Sequence, residues 1–331
     1  MFRFRRSRCT PPKVLVHPGA LVLQKSVPLT DSERTPPEDI LLPRNGIIMN
    51  SPIKTKVKTI DGLSIRYAES DSRENSAILL SPWPESLFTF EQMWSRLAAH
   101  AQLVAIDLPG FGHSERRNEL LTPSAMGEFI AHLVKELGLK QPHAVGPDIG
   151  TSALLFTAAR YPGLLKSIVV GNGTAAVPLQ IGSVLKDVVE APNVDGMRNM
   201  DPRQGVNSVL AFVEHYKLPD HVREDFLSSY EGDRFVESLR FVRSYPTELP
   251  ILSKLLPSIE TPVQIITGDH DPGVLPVNGD FLNERLPYSK HDKVNAGHFA
   301  WADAADDYAR IIIDWWEGGY QRVKNKSRKA K

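Results

Sequence analysis

Three stretches of the 331-residue chain bring together residue types that do covalent chemistry. Asp148 stands in Gly146-Pro147-Asp148-Ile149-Gly150, Asp271 closes Gly268-Asp269-His270-Asp271, and His298 stands in Asn295-Ala296-Gly297-His298-Phe299. A short apolar strand pattern, His143-Ala144-Val145, leads into the first stretch, and a helical pattern, Ser152 to Ala159, follows it. Strand, Gly-x-nucleophile-x-Gly, helix describes a sharp turn that lifts one side chain above a sheet edge. Its flanking positions are expected to be small, and the helix N-terminus behind it favours developing negative charge. Taken alone, the pentapeptide reads equally well as an ordinary strand-to-helix loop with Asp near an N-cap. The order nucleophile, acid, histidine at three strand ends changes that weighting. A carboxylate at the turn is a poor acyl nucleophile, because it leaves again from a tetrahedral adduct. It can displace a leaving group at a saturated carbon and form an alkyl ester.

The elements around these residues predict a parallel sheet covered on both faces. Val57–Ile60 and Leu63–Tyr67 flank Asp61-Gly62 as a hairpin. Short strands are expected at Ala77–Leu80, Leu103–Ile106, Ser167–Val170, Val263–Ile266 and near Asp292–Val294. Helices are expected over Phe88–His100, Pro123–Leu139, near Leu249–Leu256, near Asp280–Leu286 and over Phe299–Trp316. In such sheets functional groups gather beyond the carboxyl ends of the strands, where Asp148, Asp271 and His298 all fall. From about Thr174 to Tyr245 the pattern turns helical and richer in charge, with no clear strand. The organisation expected is therefore an α/β core over 51–174 and 246–321, a helical insertion over 175–245, and a solvated basic tail over 322–331. Residues 1–50 carry early arginines, seven prolines and no acidic residue before Asp31. They read as a disordered or non-native extension ahead of a start at Met49, with an organelle transit peptide as the second reading.

Composition narrows the function classes. Hydrophobic residues make up 41% and charged residues 24%, as in a soluble globular protein. The 39 acidic and 39 basic residues cancel, which gives no support to a nucleic-acid partner. One cysteine, Cys9, excludes an intramolecular disulfide and a cysteine metal cluster. No run of about 18 apolar residues suggests a transmembrane helix. The expectation is a cytoplasmic protein without cofactor or metal, acting on a small molecule, its oligomeric state open.

From about residue 57 to 317 the chain resembles the α/β-hydrolases with an aspartate nucleophile, the group of epoxide hydrolases and haloalkane dehalogenases. The resemblance rests on Ser81-Pro82-Trp83-Pro84-Glu85, Asp107 to Ser114, Gly146–Gly150, Gly268–Asp271 and Gly297-His298-Phe299. It implies Asp148 as nucleophile, His298 as general base for a water attacking the Asp148 carboxyl carbon, and Asp271 as the acid that orients His298. Asp269 competes with Asp271, whose spacing fits better. Backbone N–H groups of Trp83 and Ile149 would form the oxyanion hole, and the insertion would be a cap over the site. Asn172 lacks the charge some relatives carry at that place.

Departures from the family bear on the reaction. Ser81-Pro82 stand where relatives have His-Gly, and Pro82 offers no N–H, which puts the loop geometry in question. Pro147 replaces a common His. Ile149 stands where many dehalogenases place a halide-binding Trp, which counts against dehalogenation, although the Trp83 indole remains as a donor. For epoxide opening, a cap tyrosine must protonate the oxygen. The candidates rank Tyr245 first, then Tyr230, with Tyr216 third, and for each a packing role is at least as good a reading. Epoxide hydrolase-like chemistry is the leading expectation, a dehalogenase the alternative, and a non-catalytic ligand-binding protein the alternative of another class.

Overall fold

The computed structural model describes residues 51–326, so the readings for residues 1–50 and 327–331 lie outside the described residues. Eight strands form one sheet: β1 (Thr55–Ile60), β2 (Leu63–Glu69), β3 (Ser76–Leu80), β4 (Gln102–Ile106), β5 (His143–Pro147), β6 (Ser167–Gly171), β7 (Val263–Gly268) and β8 (Ser289–Val294). Their order across the sheet is β1-β2-β4-β3-β5-β6-β7-β8. β1 and β2 run antiparallel to their neighbours, and β3 to β8 are mutually parallel. The β1–β2 turn has Asp61 and Gly62 at φ 50 and 74, the two left-handed positions that a tight Asp-Gly hairpin needs.

The central strands β5, β6 and β7 are mostly apolar and buried along their whole length because both faces are covered. Alternate residues of β3 serve opposite sides. Ile78 and Leu80 join a cluster containing Met126, Phe129 and Leu154, while Ala77 and Leu79 join one with Met93, Leu97, Tyr308 and Ile312. The covering helices are α1 (Glu91–Ala98), α2 (Pro123–Glu136) and α3 (Ile149–Arg160), with others from the C-terminal half. Thr122 starts α2 by accepting a hydrogen bond from the Ala125 N–H, with Pro123 at the first helical position.

Between β6 and β7 the chain is helical, as the pattern implied: α4 (Ser183–Glu190), α5 (Pro202–Leu210), α6 (Asp220–Ser228), α7 (Arg234–Arg243) and α8 (Tyr245–Leu255). This segment is tied to the sheet by Arg66. Its Nε donates to Asp107 Oδ2 at 2.6 Å, and its two Nη atoms donate to Asp225 of α6 at 2.7 and 2.8 Å. α9 (Val277–Arg285) follows β7.

Two expectations change. The final helix is two pieces, α10 (Ala300–Asp303) and α11 (Ala305–Asp314), broken at Ala304 with φ −122 and ψ 37. At the break the Asp303 carboxylate accepts the backbone N–H groups of Glu214, His215 and Tyr216 from the helical segment. The basic tail is not all solvated, since Lys326 Nζ donates to Asn283 and Ser289.

Candidate active site

Parallel strands put their carboxyl ends on one edge, and five segments leaving that edge converge. The loop after β3 brings Trp83 and Glu85, β5 brings Asp148, β6 brings Asn172, β7 brings Asp271 and β8 brings His298.

Asp148 sits at φ 51 and ψ −119, between β5 and α3. A non-glycine residue held there costs on the order of 1–3 kcal/mol, and the surroundings dictate it. A Cβ on Gly146 would meet Leu154 at 2.7 Å and the Gly150 carbonyl at 3.0 Å. Gly150, by contrast, is uncrowded, its Cβ meeting only Leu80 at an ordinary 3.6 Å. The second tight position is Gly173, where a Cβ would lie 2.3 Å from the Asp148 carbonyl oxygen. Of the two flanking positions expected to be small, Gly146 is crowded and Gly150 is not.

The two carboxylate oxygens of Asp148 have different surroundings. The Trp83 N–H donates to Oδ2 at 2.8 Å, and the Ile149 N–H also donates to the carboxylate. Oδ1 lies 3.9 Å from His298 Nε2. Pro82 therefore does not interrupt this contact, because the donor is the N–H of the next residue, Trp83. His298 Nδ1 is 2.8 Å from Asp271 Oδ2. Asp271 also accepts from Asn172 Nδ2 at 2.8 Å, and from the Gly273 and Val274 N–H groups. Asp269 is exposed and pairs with His270 instead. Asn172 thus supports the acid that bears on the histidine.

Electrostatics follow from this packing. Burial pushes the Asp148 carboxyl up, against the pull of His298 and the two N–H groups. Asp271 is held low: burial opposes ionisation, but His298, Asn172 and the backbone donors outweigh it. Burial alone would lower His298, yet Asp271, Asp148 and Glu85 together raise it to about 9. At neutral pH the imidazole is a cation among three carboxyl groups.

Glu85 is the residue that sequence reasoning passed over. It is fully buried, and Thr89 Oγ1 and Trp301 Nε1 donate to its Oε2 at 2.8 and 2.7 Å. Its Oε1 has no partner. Burial raises it to about 7, and it feels the charges of both Asp148 and His298. The only signal in the chain was its place just after a strand-end loop.

A cavity of about 310 Å³ opens over Asp148 and His298, lined from the core by Trp83 and Thr174 and from the helical segment by residues of α4, α5 and α7. Tyr245 lines it; Tyr230 and Tyr216 do not. Tyr230 is completely buried below the helical segment, its hydroxyl donating to the Glu85 carbonyl and accepting from the Gly112 N–H. Tyr230, expected from its place in the helical segment to contact substrate, is absent from the cavity lining. The Tyr245 phenol neighbours the Ser152 and Thr174 hydroxyls, and burial and the Asp148 charge keep it protonated. The Trp83 ring stacks on Phe235 at 5.5 Å, and its indole N–H donates to Ser238 at 2.8 Å. That donor is directed into the helical segment rather than at Asp148.

The model of the alpha/beta hydrolase fold family matches residues 78–305, more than half of the chain. Over 185 residues the chain is 28% identical to a dihydrolipoyllysine-residue acetyltransferase component of an acetoin cleaving system from Cupriavidus necator, covering 52% of this chain and 48% of that protein. It is 25% identical to the serine hydrolase BPHL of Mus musculus, covering 77% and 84%. Against the first relative the chain spans about half of that protein's length. The crystal structure of the epoxide hydrolase VrEH1 from Vigna radiata superposes with a TM-score of 0.66 over 80% of this chain and 98% of that one, at 17% identity, a likeness of fold. Sheet order, strand-end loops and family match agree, and the chain belongs to the alpha/beta hydrolase family.

Proposed function

We propose that this hydrolase opens epoxides through a covalent ester on Asp148. The observation that carries the reading is the unequal pair of carboxylate oxygens. Oδ2 accepts from the Trp83 N–H, with the Ile149 N–H also on the carboxylate, while Oδ1 lies 3.9 Å from Nε2 of His298, which lines the cavity with Asp148. In the first step Oδ1 attacks an epoxide carbon, the carbon–oxygen bond breaks, and the Tyr245 phenol gives its proton to the departing oxygen. The new ester no longer carries the Asp148 charge. One of the contributions that holds the proton on His298 is then gone, and the imidazole can give that proton through solvent to the Tyr245 phenolate and become neutral. In the second step neutral His298 takes a proton from water, whose oxygen attacks the Asp148 carboxyl carbon. The tetrahedral oxyanion forms at Oδ2 beside the Trp83 N–H; on its collapse His298 gives its proton to the departing diol oxygen, and the Asp148 carboxylic acid so formed returns its proton to His298. Glu85, with Oε1 unpaired beside both groups, is suited to accept a hydrogen bond from that water.

A carbon–halogen substrate would use the same nucleophile, but the leaving halide needs donors. Ile149 has none in its side chain, and the Trp83 indole is committed to Ser238. These observations favour the epoxide reading over the dehalogenase. The test is a single turnover in heavy-oxygen water with enzyme in excess over an epoxide. Label in the Asp148 carboxylate and unlabelled diol are expected. Label in the first-turnover diol would mean direct attack by water and would contradict the ester.

A further inference from the structure

Seven large apolar side chains are well exposed among the described residues, and three of them, Val184, Met200 and Phe212, line the same cavity. They are 67%, 44% and 39% exposed and come from three separate stretches around α4 and α5. Exposed apolar residues normally scatter singly; here they form one lip. At the other end of the cavity Asp148 and Asp271 are buried, and the His298 side chain is 13% exposed. Between the two ends no lysine or arginine lines the wall among the described residues. Charge is therefore confined to the reacting end, and the remainder is mostly hydrocarbon with the hydroxyls of Thr174, Ser183 and Ser208 among it, Met197 and Met200 being able to adapt to a chain of variable shape.

We propose that the enzyme takes neutral epoxides carrying a hydrocarbon tail, which enter head first, present the oxirane to Asp148, and rest the tail against the lip of Val184, Met200 and Phe212. This rests on the epoxide reading for the head, while the tail contact stands on the cavity alone. A substrate with a carboxylate beside the reacting carbon finds no lysine or arginine in the wall, and the one imidazolium there, His298, is already engaged by Asp271 and faces Asp148, so such a substrate is disfavoured.

The test compares 1,2-epoxybutane, 1,2-epoxyoctane and 1,2-epoxydodecane on the full chain. Fully burying a methylene is worth roughly threefold to fourfold in kcat/KM, so the rate constant is expected to climb with chain length until the tail passes the lip. Phe212→Ser and Met200→Ser alter exposed positions and are expected to flatten that climb, lowering the dodecane-to-butane ratio about tenfold, through KM more than kcat. Ile251→Ser, exposed on α8 away from the cavity, is expected to leave the ratio as it is. In parallel, calorimetry measures binding of the matching unreactive 1-alkanols. Affinity that rises with length in the wild type and less in the lip variants supports the tail site even if no epoxide turns over, in which case only the epoxide reading fails. Binding and turnover indifferent to chain length, or a climb untouched by both lip variants, would overturn the proposal.

Discussion

Two aspartates lie under the same sheet edge and are both buried, and burial pushes both carboxyls up, yet their surroundings differ. Asp107 has both oxygens occupied. Oδ1 accepts from the Leu87 N–H at 2.7 Å, and Oδ2 accepts from Arg66 Nε at 2.6 Å and the His113 N–H at 2.9 Å. Arg66 passes the tie on to Asp225, which Ser86 also bonds. Asp148 has only Oδ2 satisfied by short hydrogen bonds, its Oδ1 having just the more distant His298. A saturated buried carboxylate holds elements together. An unsaturated one on a strained backbone, with a cavity above it, keeps capacity for a substrate.

Breaking each side of that contrast should have opposite consequences. The largest effect expected is on Asp148→Asn. Turnover should fall by roughly 10⁴-fold or more, with the urea midpoint of unfolding little changed, as steady-state kinetics and denaturation curves on the same sample will show. Arg66→Met should do the reverse. It leaves Asp107 and Asp225 without their cation, and removing one partner of a buried pair costs about 3–5 kcal/mol. Chemical denaturation should record that loss while kcat per folded molecule stays within severalfold of wild type.

Tyr245→Phe should lower kcat by roughly 10²- to 10⁴-fold as a lost general acid, whereas Tyr230→Phe, off the cavity, should leave kcat nearly intact and lower stability instead. A smaller effect concerns pH. Glu85 is raised from 4.5 to about 7 and His298 from 6.5 to about 9. In both, the native state binds protons more tightly than the unfolded chain. Their contribution to stability is therefore full at low pH and is lost as pH rises, through about 7 for Glu85 and about 9 for His298. The melting temperature should fall across that window, and fall less in Glu85→Gln. With Glu85 raised to about 7, the wild-type rate profile is expected to bend near that pH, and the profile of Glu85→Gln is expected to lack the bend.

The contrast also marks what the chain made legible. Asp148 and Asp271 follow apolar strand patterns and His298 follows the mostly polar strand β8, and parallel strands bring the three ends together. The spacing that chose Asp271 over Asp269 agrees with the contact to His298. Glu85 was hidden because its partners are Thr89, one turn away, and Trp301, which is 216 positions distant. No periodicity links residues that meet only through tertiary packing. The same holds for Arg66 and Asp225, whose pairing joins a β-strand to a helix 159 positions on. The break at Ala304 escaped because the apolar spacing continues across it, while Asp303 turns to bond backbone N–H groups of the helical segment. Gly173 was overlooked because its constraint is the approach of the Asp148 backbone, which only the fold creates.

The most direct test of the account separates its two steps. His298→Phe should allow Oδ1 of Asp148 to be alkylated while stopping hydrolysis of the ester. Incubated with the epoxide panel and analysed by intact mass and peptide mapping, the variant should gain the mass of one whole epoxide, located on Asp148. An adduct on any other residue, or no adduct from an epoxide that the wild type turns over, would contradict a covalent ester on Asp148.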